Sequence, residues 1–149
     1  CVGHEFWSQK GDIIFDNRRG GHDGTISNSK GQVYASQNVS TETPYFGFAH
    51  KDGNVYRKID MPFYCNHYFA NSDMSLFVGD AVEDILLIKP EEDGNAKMKV
   101  LVNHNTTWHY QRSHCHPTFS WDGKKLLYAA DTDEWHDNLF LVDVPETID

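Results

Sequence analysis

The segment Gln111-Arg112-Ser113-His114-Cys115-His116-Pro117 sets two imidazoles and a side-chain amide within six positions. Side chains at i and i+2 of an extended segment share a face, so His114 and His116 are expected to emerge together. Two imidazoles on one face, with a glutamine carbonyl just upstream, amount to half of a metal site carried on a strand. Gln111 cannot share that face on a regular strand, so a bend before Ser113 is required. The plainer alternative is a pair of solvated loop histidines, because no metal-finger spacing surrounds them.

His116 also belongs to a repeated frame. Segments opening at His4, His67 and His116 each add aromatic residues, turn at a polar step seven positions on, and continue into an apolar strand. The starts lie 63 and 49 residues apart, near the length of one propeller blade with loop insertions. Equivalent positions on neighbouring inner strands approach one central channel. That would gather His4, His67 and His116.

The elements that must carry these residues read as all-β, because short strands alternate with turn residues along the chain. Strands are expected at 2–7, 12–16, 44–49, 54–59, 63–69, 75–80, 84–89, 97–103, 113–119, 124–130 and 137–143. Turns are expected at Lys51-Asp52-Gly53, Glu92-Asp93-Gly94-Asn95 and Asp122-Gly123, where Gly or Asn can take positive φ. The 149 residues read as one domain of about three consecutive blades starting near 1, 63 and 113. An open array of blades leaves uncovered edges, and Cys1 leads straight into an inner strand. The chain is therefore expected to be the C-terminal part of a longer propeller.

Other residues offer weaker chemistry. The irregular stretch 17–43 contains Gly20-Gly21-His22-Asp23-Gly24, readable as a lid with His22 poised to act or as a solvated loop. Asp80, Asp131 and Asp133 follow apolar strands; satisfying turn amides is a simpler role for them than catalysis. Trp7, Trp121 and Trp135 are expected between blades. Trp108, beside the histidine motif, could stack on a sugar.

Acidic residues outnumber basic ones 22 to 13, a net charge of −9, which argues against a nucleic-acid partner. No apolar run approaches the roughly 20 residues that span a bilayer, so no membrane partner is expected. Three cysteines without paired spacing imply no disulfide framework and favour a reducing, cytoplasmic compartment, with the periplasm as the alternative. Cys65 and Cys115 flank candidate histidines, but strand alternation turns Cys115 away from them, into apolar packing.

His4-Glu5-Phe6-Trp7, Cys65-Asn66-His67, Val78-Gly79-Asp80, Asn105-Thr106-Thr107-Trp108 and Gln111-x-x-His114-x-His116-Pro117 occur in this order along nearly the whole chain. This succession resembles the oligogalacturonate lyases of polysaccharide lyase family 22. The resemblance implies a seven-bladed propeller with a manganese ion in its channel, and puts the metal ligands on His67, Gln111, His114 and His116. It puts the proton-abstracting histidine on His4. The stretch between His4 and His67 is longer than the family pattern, and the family's substrate-binding arginine falls upstream of Cys1.

The implied reaction is β-elimination on an oligogalacturonide. Loss of the C5 hydrogen builds charge beside the uronate carboxylate, which a divalent cation stabilises, while neutral histidine suits the base. Three imidazoles alone would suit another divalent transition metal as well as Mn2+. Two other classes compete: a non-catalytic, protein-binding propeller, and a metal-dependent hydrolase whose nearest carboxylate base is Glu5. Subunit number is not legible.

Overall fold

The computed structural model describes residues 2–17, 43–62, 65–108, 113–133 and 136–148, and within them the chain is all-β. Its strands are β1 (Val2–Trp7), β2 (Ile13–Asn17), β3 (Tyr45–Ala49), β4 (Val55–Asp60), β5 (Tyr68–Ala70), β6 (Phe77–Asp80), β7 (Asp84–Pro90), β8 (Ala96–Asn103), β9 (Thr118–Phe119), β10 (Lys125–Asp133) and β11 (His136–Asp143). They form three antiparallel sheets in sequential order, β1-β2-β3-β4, β5-β6-β7-β8 and β9-β10-β11. Each sheet is one up-and-down blade.

The repeat frame reappears in the hairpin that opens each blade. Ser8, Asn71 and Ser120 open the turns by donating their N–H to Asp12, Leu76 and Lys125 carbonyls at 2.8, 3.0 and 2.9 Å. The left-handed position of each turn holds Gly11 (φ 85°), Met74 (φ 62°) and Gly123 (φ 70°), seven residues after His4, His67 and His116. Glycine adopts this conformation without steric cost; Met74 does so against its Cβ.

Packing follows the two-residue strand period. On β6, Phe77 joins the cluster with Ile14, Phe46, Phe48 and Ile59 of the first blade, whereas Val78 joins Leu126, Tyr128 and Cys115 of the third. β7 runs Ile85-Leu86-Leu87-Ile88, all buried, because the middle blade is covered on both faces. Each such side chain contributes about 1.5–3 kcal/mol by leaving water. Gly79 is needed for this stacking: a Cβ there would stand 2.9 Å from Cys65 Sγ.

Two sequence expectations are corrected. The strands foreseen at 63–69 and 113–119 shrink to Tyr68–Ala70 and Thr118–Phe119, leaving His67, His114 and His116 in irregular backbone. Trp7 and Trp121 are not wedged between blades but are 65% and 90% exposed, at the ends of their inner strands. Trp135 lies outside the described residues.

Candidate metal centre

His67, His114 and His116 come together at the start of the inner strands, each offering a ring nitrogen within 4.8 Å of the others. Ring centroids of His67 and His116 are 3.7 Å apart, those of His67 and His114 5.5 Å, and those of His114 and His116 5.9 Å. Strand alternation is not what unites the last two. His116 takes a left-handed backbone (φ 43°) just before Pro117, a conformation costing about 1–3 kcal/mol that persists where the surroundings impose it.

His67 is the anchor. It is buried, and Asp80 on β6 accepts its backbone N–H at 2.6 Å and its Nδ1–H at 2.7 Å. With the proton held on Nδ1, Nε2 carries a lone pair, and this atom is buried without a hydrogen-bond partner. A buried nitrogen lone pair among other imidazoles is costly unless something occupies the point they face. A divalent cation fits that point.

His114 is positioned by the connection that precedes it. His104 Nε2 bonds the Ala81 carbonyl at 2.9 Å, and Trp108 Nε1 donates to the Val82 carbonyl at 2.8 Å, docking the connection on the second blade. Asp131 on β10 accepts from Thr106 Oγ1 at 2.6 Å and the Thr107 N–H at 2.7 Å, and also holds the Thr107 hydroxyl. Thr106 Oγ1 lies 3.2 Å from the Ser113 carbonyl, next to His114. The Asn66 amide stands 3.5 Å from His114 Nδ1.

The electrostatics disfavour a charged His116. Loss of water around the ring, then repulsion from His67, His114 and His4, lower the His116 pKa to about 4 against the pull of Asp80. Burial alone would raise the Asp80 carboxyl, but His67 and its hydrogen bonds, with His116, hold it below the ordinary range. Cys65 and Cys115 are buried thiols pushed well above their usual range by burial, then by neighbouring carboxylates. They pack; they are not thiolates.

His4, on β1, borders the cluster: its ring centroid is 4.4 Å from that of His67. Its N–H donates to Asp16 Oδ1 at 2.5 Å, and its Nδ1 lies 3.6 Å from Asp16 Oδ2. Gln111 and His22 lie outside the described residues. Trp108 does not offer a sugar platform: its indole is 1% exposed, edge-on to His104 and His114. Sequence reasoning also missed the bonding of Asp80 and Asp16 to the histidines. The available signal was an aspartate 12 or 13 residues after the first two repeat histidines. Asp133 pairs with exposed His136.

An oligogalacturonide lyase from Pectobacterium atrosepticum is 28% identical over 105 residues, covering 56% of this chain and 26% of that protein. The chain is a distant homologue of oligogalacturonate lyase over part of its length. An oligogalacturonate lyase from Dickeya dadantii is 29% identical over the same length, so the chain spans about a quarter of these relatives. No protein-family profile matches the chain. The oligogalacturonate lyase structure from Vibrio parahaemolyticus superposes with a TM-score of 0.66 at 22% identity, covering 98% of this chain and 36% of that one. An oligogalacturonate lyase solved in complex with manganese gives 0.67 at 21% identity, covering 99% and 36%. The likeness to this lyase establishes the fold, consecutive blades of a β-propeller.

Proposed function

We propose that this chain forms part of a metal-dependent lyase that cleaves short oligogalacturonides by β-elimination, leaving unsaturated uronate ends. The observation that carries the reading is the unpartnered, buried Nε2 of His67 facing His114 and His116, with His4 beside it. The distant homology supports the substrate class, and the relative solved with manganese supports Mn2+ among the divalent ions.

In this reading His67, His114 and His116 hold the ion, joined by Gln111 from the same motif. The bound ion supplies a Lewis acid for the uronate carboxylate, offsetting negative charge as the C5 proton leaves. His4 accepts that proton as a neutral imidazole, the form able to act as a base. The electron pair of the C5–H bond becomes the C4–C5 double bond as the C4–O bond breaks, and the departing oxygen keeps that bond's pair and takes a proton from water to become a hydroxyl. No nucleophile is required. The irregular backbone before β5 and β9 serves this site by letting imidazoles from two blades converge where a straight strand would splay them.

The test is made on the intact protein. Incubation with short oligogalacturonides should generate the ultraviolet absorbance of a 4,5-unsaturated uronate, vanish on chelation and return with Mn2+. Saturated reducing ends would instead indicate a hydrolase. Absence of both products and of bound metal would leave a protein-binding propeller.

A further inference from the structure

The hairpin registers place a second repeated feature behind the histidines. Across β1 and β2, where Glu5 pairs with Phe15, His4 stands opposite Asp16; across β5 and β6, where Tyr68 pairs with Gly79, His67 stands opposite Asp80. Continuing the pairing of Thr118 with Leu127 puts His116 opposite Ala129. The first two blades therefore share a cross-strand His–Asp pair that the third lacks. Both carboxylates are sealed from water, Asp16 at 2% and Asp80 at 0% exposure. Each takes the backbone N–H of its histidine on one oxygen, at 2.5 and 2.6 Å. The other oxygen of Asp80 hydrogen-bonds His67 Nδ1 at 2.7 Å, whereas that of Asp16 stands 3.6 Å from His4 Nδ1, beyond hydrogen-bond reach.

We infer that Asp16 and Asp80 are positioning residues that hold a channel histidine by its backbone N–H in each of two blades, and that Asp80 also keeps the His67 ring proton on Nδ1 and turns its Nε2 toward the channel. At His67, gripping backbone and ring together fixes both the place of the imidazole and its tautomer. The full clamp falls on a ligand, His67, and the backbone hold alone on the base, His4, roles that rest on the function proposed above. In the third blade no carboxylate opposes His116. The Ala129 N–H bonds the Cys115 carbonyl at 2.9 Å instead, and His116 is left to reach the cluster through its left-handed backbone.

A carboxylate that merely satisfies a buried amide would do so equally well as asparagine. Asp80→Asn keeps an oxygen for the His67 N–H, but its NH2 can only donate to Nδ1, which moves the ring proton to Nε2. In the intact protein, D80N should weaken Mn2+ binding by about 10–100-fold, the usual effect of losing an outer partner of a ligating histidine. Histidine 15N signals of the metal-free protein should show the His67 tautomer inverted. D16N, which keeps an oxygen for the His4 N–H, should leave the His4 tautomer and the Mn2+ affinity at the wild-type level. A wild-type His67 tautomer in D80N would overturn the inference and leave the metal reading intact. A wild-type protein that takes up no Mn2+, with the His67 tautomer still inverted in D80N, would sink the metal reading and leave the clamp standing.

Discussion

The indole of Trp108 meets the imidazole of His114 edge-on, with 5.4 Å between ring centroids, while its Nε1 donates to the Val82 carbonyl at 2.8 Å. One buried side chain thus ties the end of the second blade to a histidine of the third. Trp108→Phe would keep an aromatic edge against His114 but strand the Val82 carbonyl. The expected loss is about 1–3 kcal/mol, read as a lower denaturant midpoint. An unchanged midpoint would show that this bond is not what secures the connection.

Removing a ring from the cluster should remove the ion. His114→Ala and His116→Ala are each expected to lower Mn2+ affinity by more than the ~10–100-fold that an outer partner is worth. Metal content after gel filtration checks this, and full retention in both variants would reject the cluster as the binding site.

His4→Ala should behave differently, because His4 borders the three clustered rings without joining them. Metal content is expected to persist while kcat falls by about 10²–10⁴-fold, the usual contribution of a general base. Loss of metal together with activity would make His4 a ligand. Near-wild-type kcat would move the base elsewhere, with His22 the next to test.

Asp131 should impose an acid limit on stability. Burial acts to raise its carboxyl, but hydrogen bonds from Thr106 and Thr107 outweigh it and hold the pKa below the ordinary 3.8. A carboxyl depressed in the folded state stabilises fully above its unfolded pKa, and that share is lost as pH falls through the folded value. Asp131→Ala should therefore be markedly less stable than wild type at neutral pH, by about 1.5–3 kcal/mol for each charged hydrogen bond lost. The gap should narrow in acid. Parallel pH–stability curves would contradict the assignment.

Gly79 tests the stacking behind the site. A methyl group there would press on Cys65 Sγ and Cβ at 2.9 and 3.1 Å. Overpacking of this kind costs about 1–3 kcal/mol. Gly79→Ala should lower the thermal midpoint, and adding Cys65→Ala should restore part of it. A neutral Gly79→Ala would mean that the blades yield at this point.

Much of the architecture was legible because strands and turns are local. Alternation along Val78-Gly79-Asp80 and Lys125-Leu126-Leu127-Tyr128, and glycine at 11, 53, 94 and 123, are decided by neighbours in the chain, since pleat and positive φ are properties of a few consecutive residues. The shared place of His4, His67 and His116 was legible for the same reason, as a fixed offset from a turn. Tertiary structure decided how those histidines meet. His114 and His116 were expected to converge by sharing a strand face, yet a left-handed residue and a docked connection bring them to His67. Trp108 reads as a free aromatic in a polar loop, and only the blade beneath it turns the indole inward to Val82. Asp80 reads as a turn aspartate, and Asp16 goes unremarked, until pairing sets each opposite a histidine. An irregular backbone has no period to extrapolate, and a cross-strand partner is chosen by register between distant segments, so these relationships exist only once the sheets have formed.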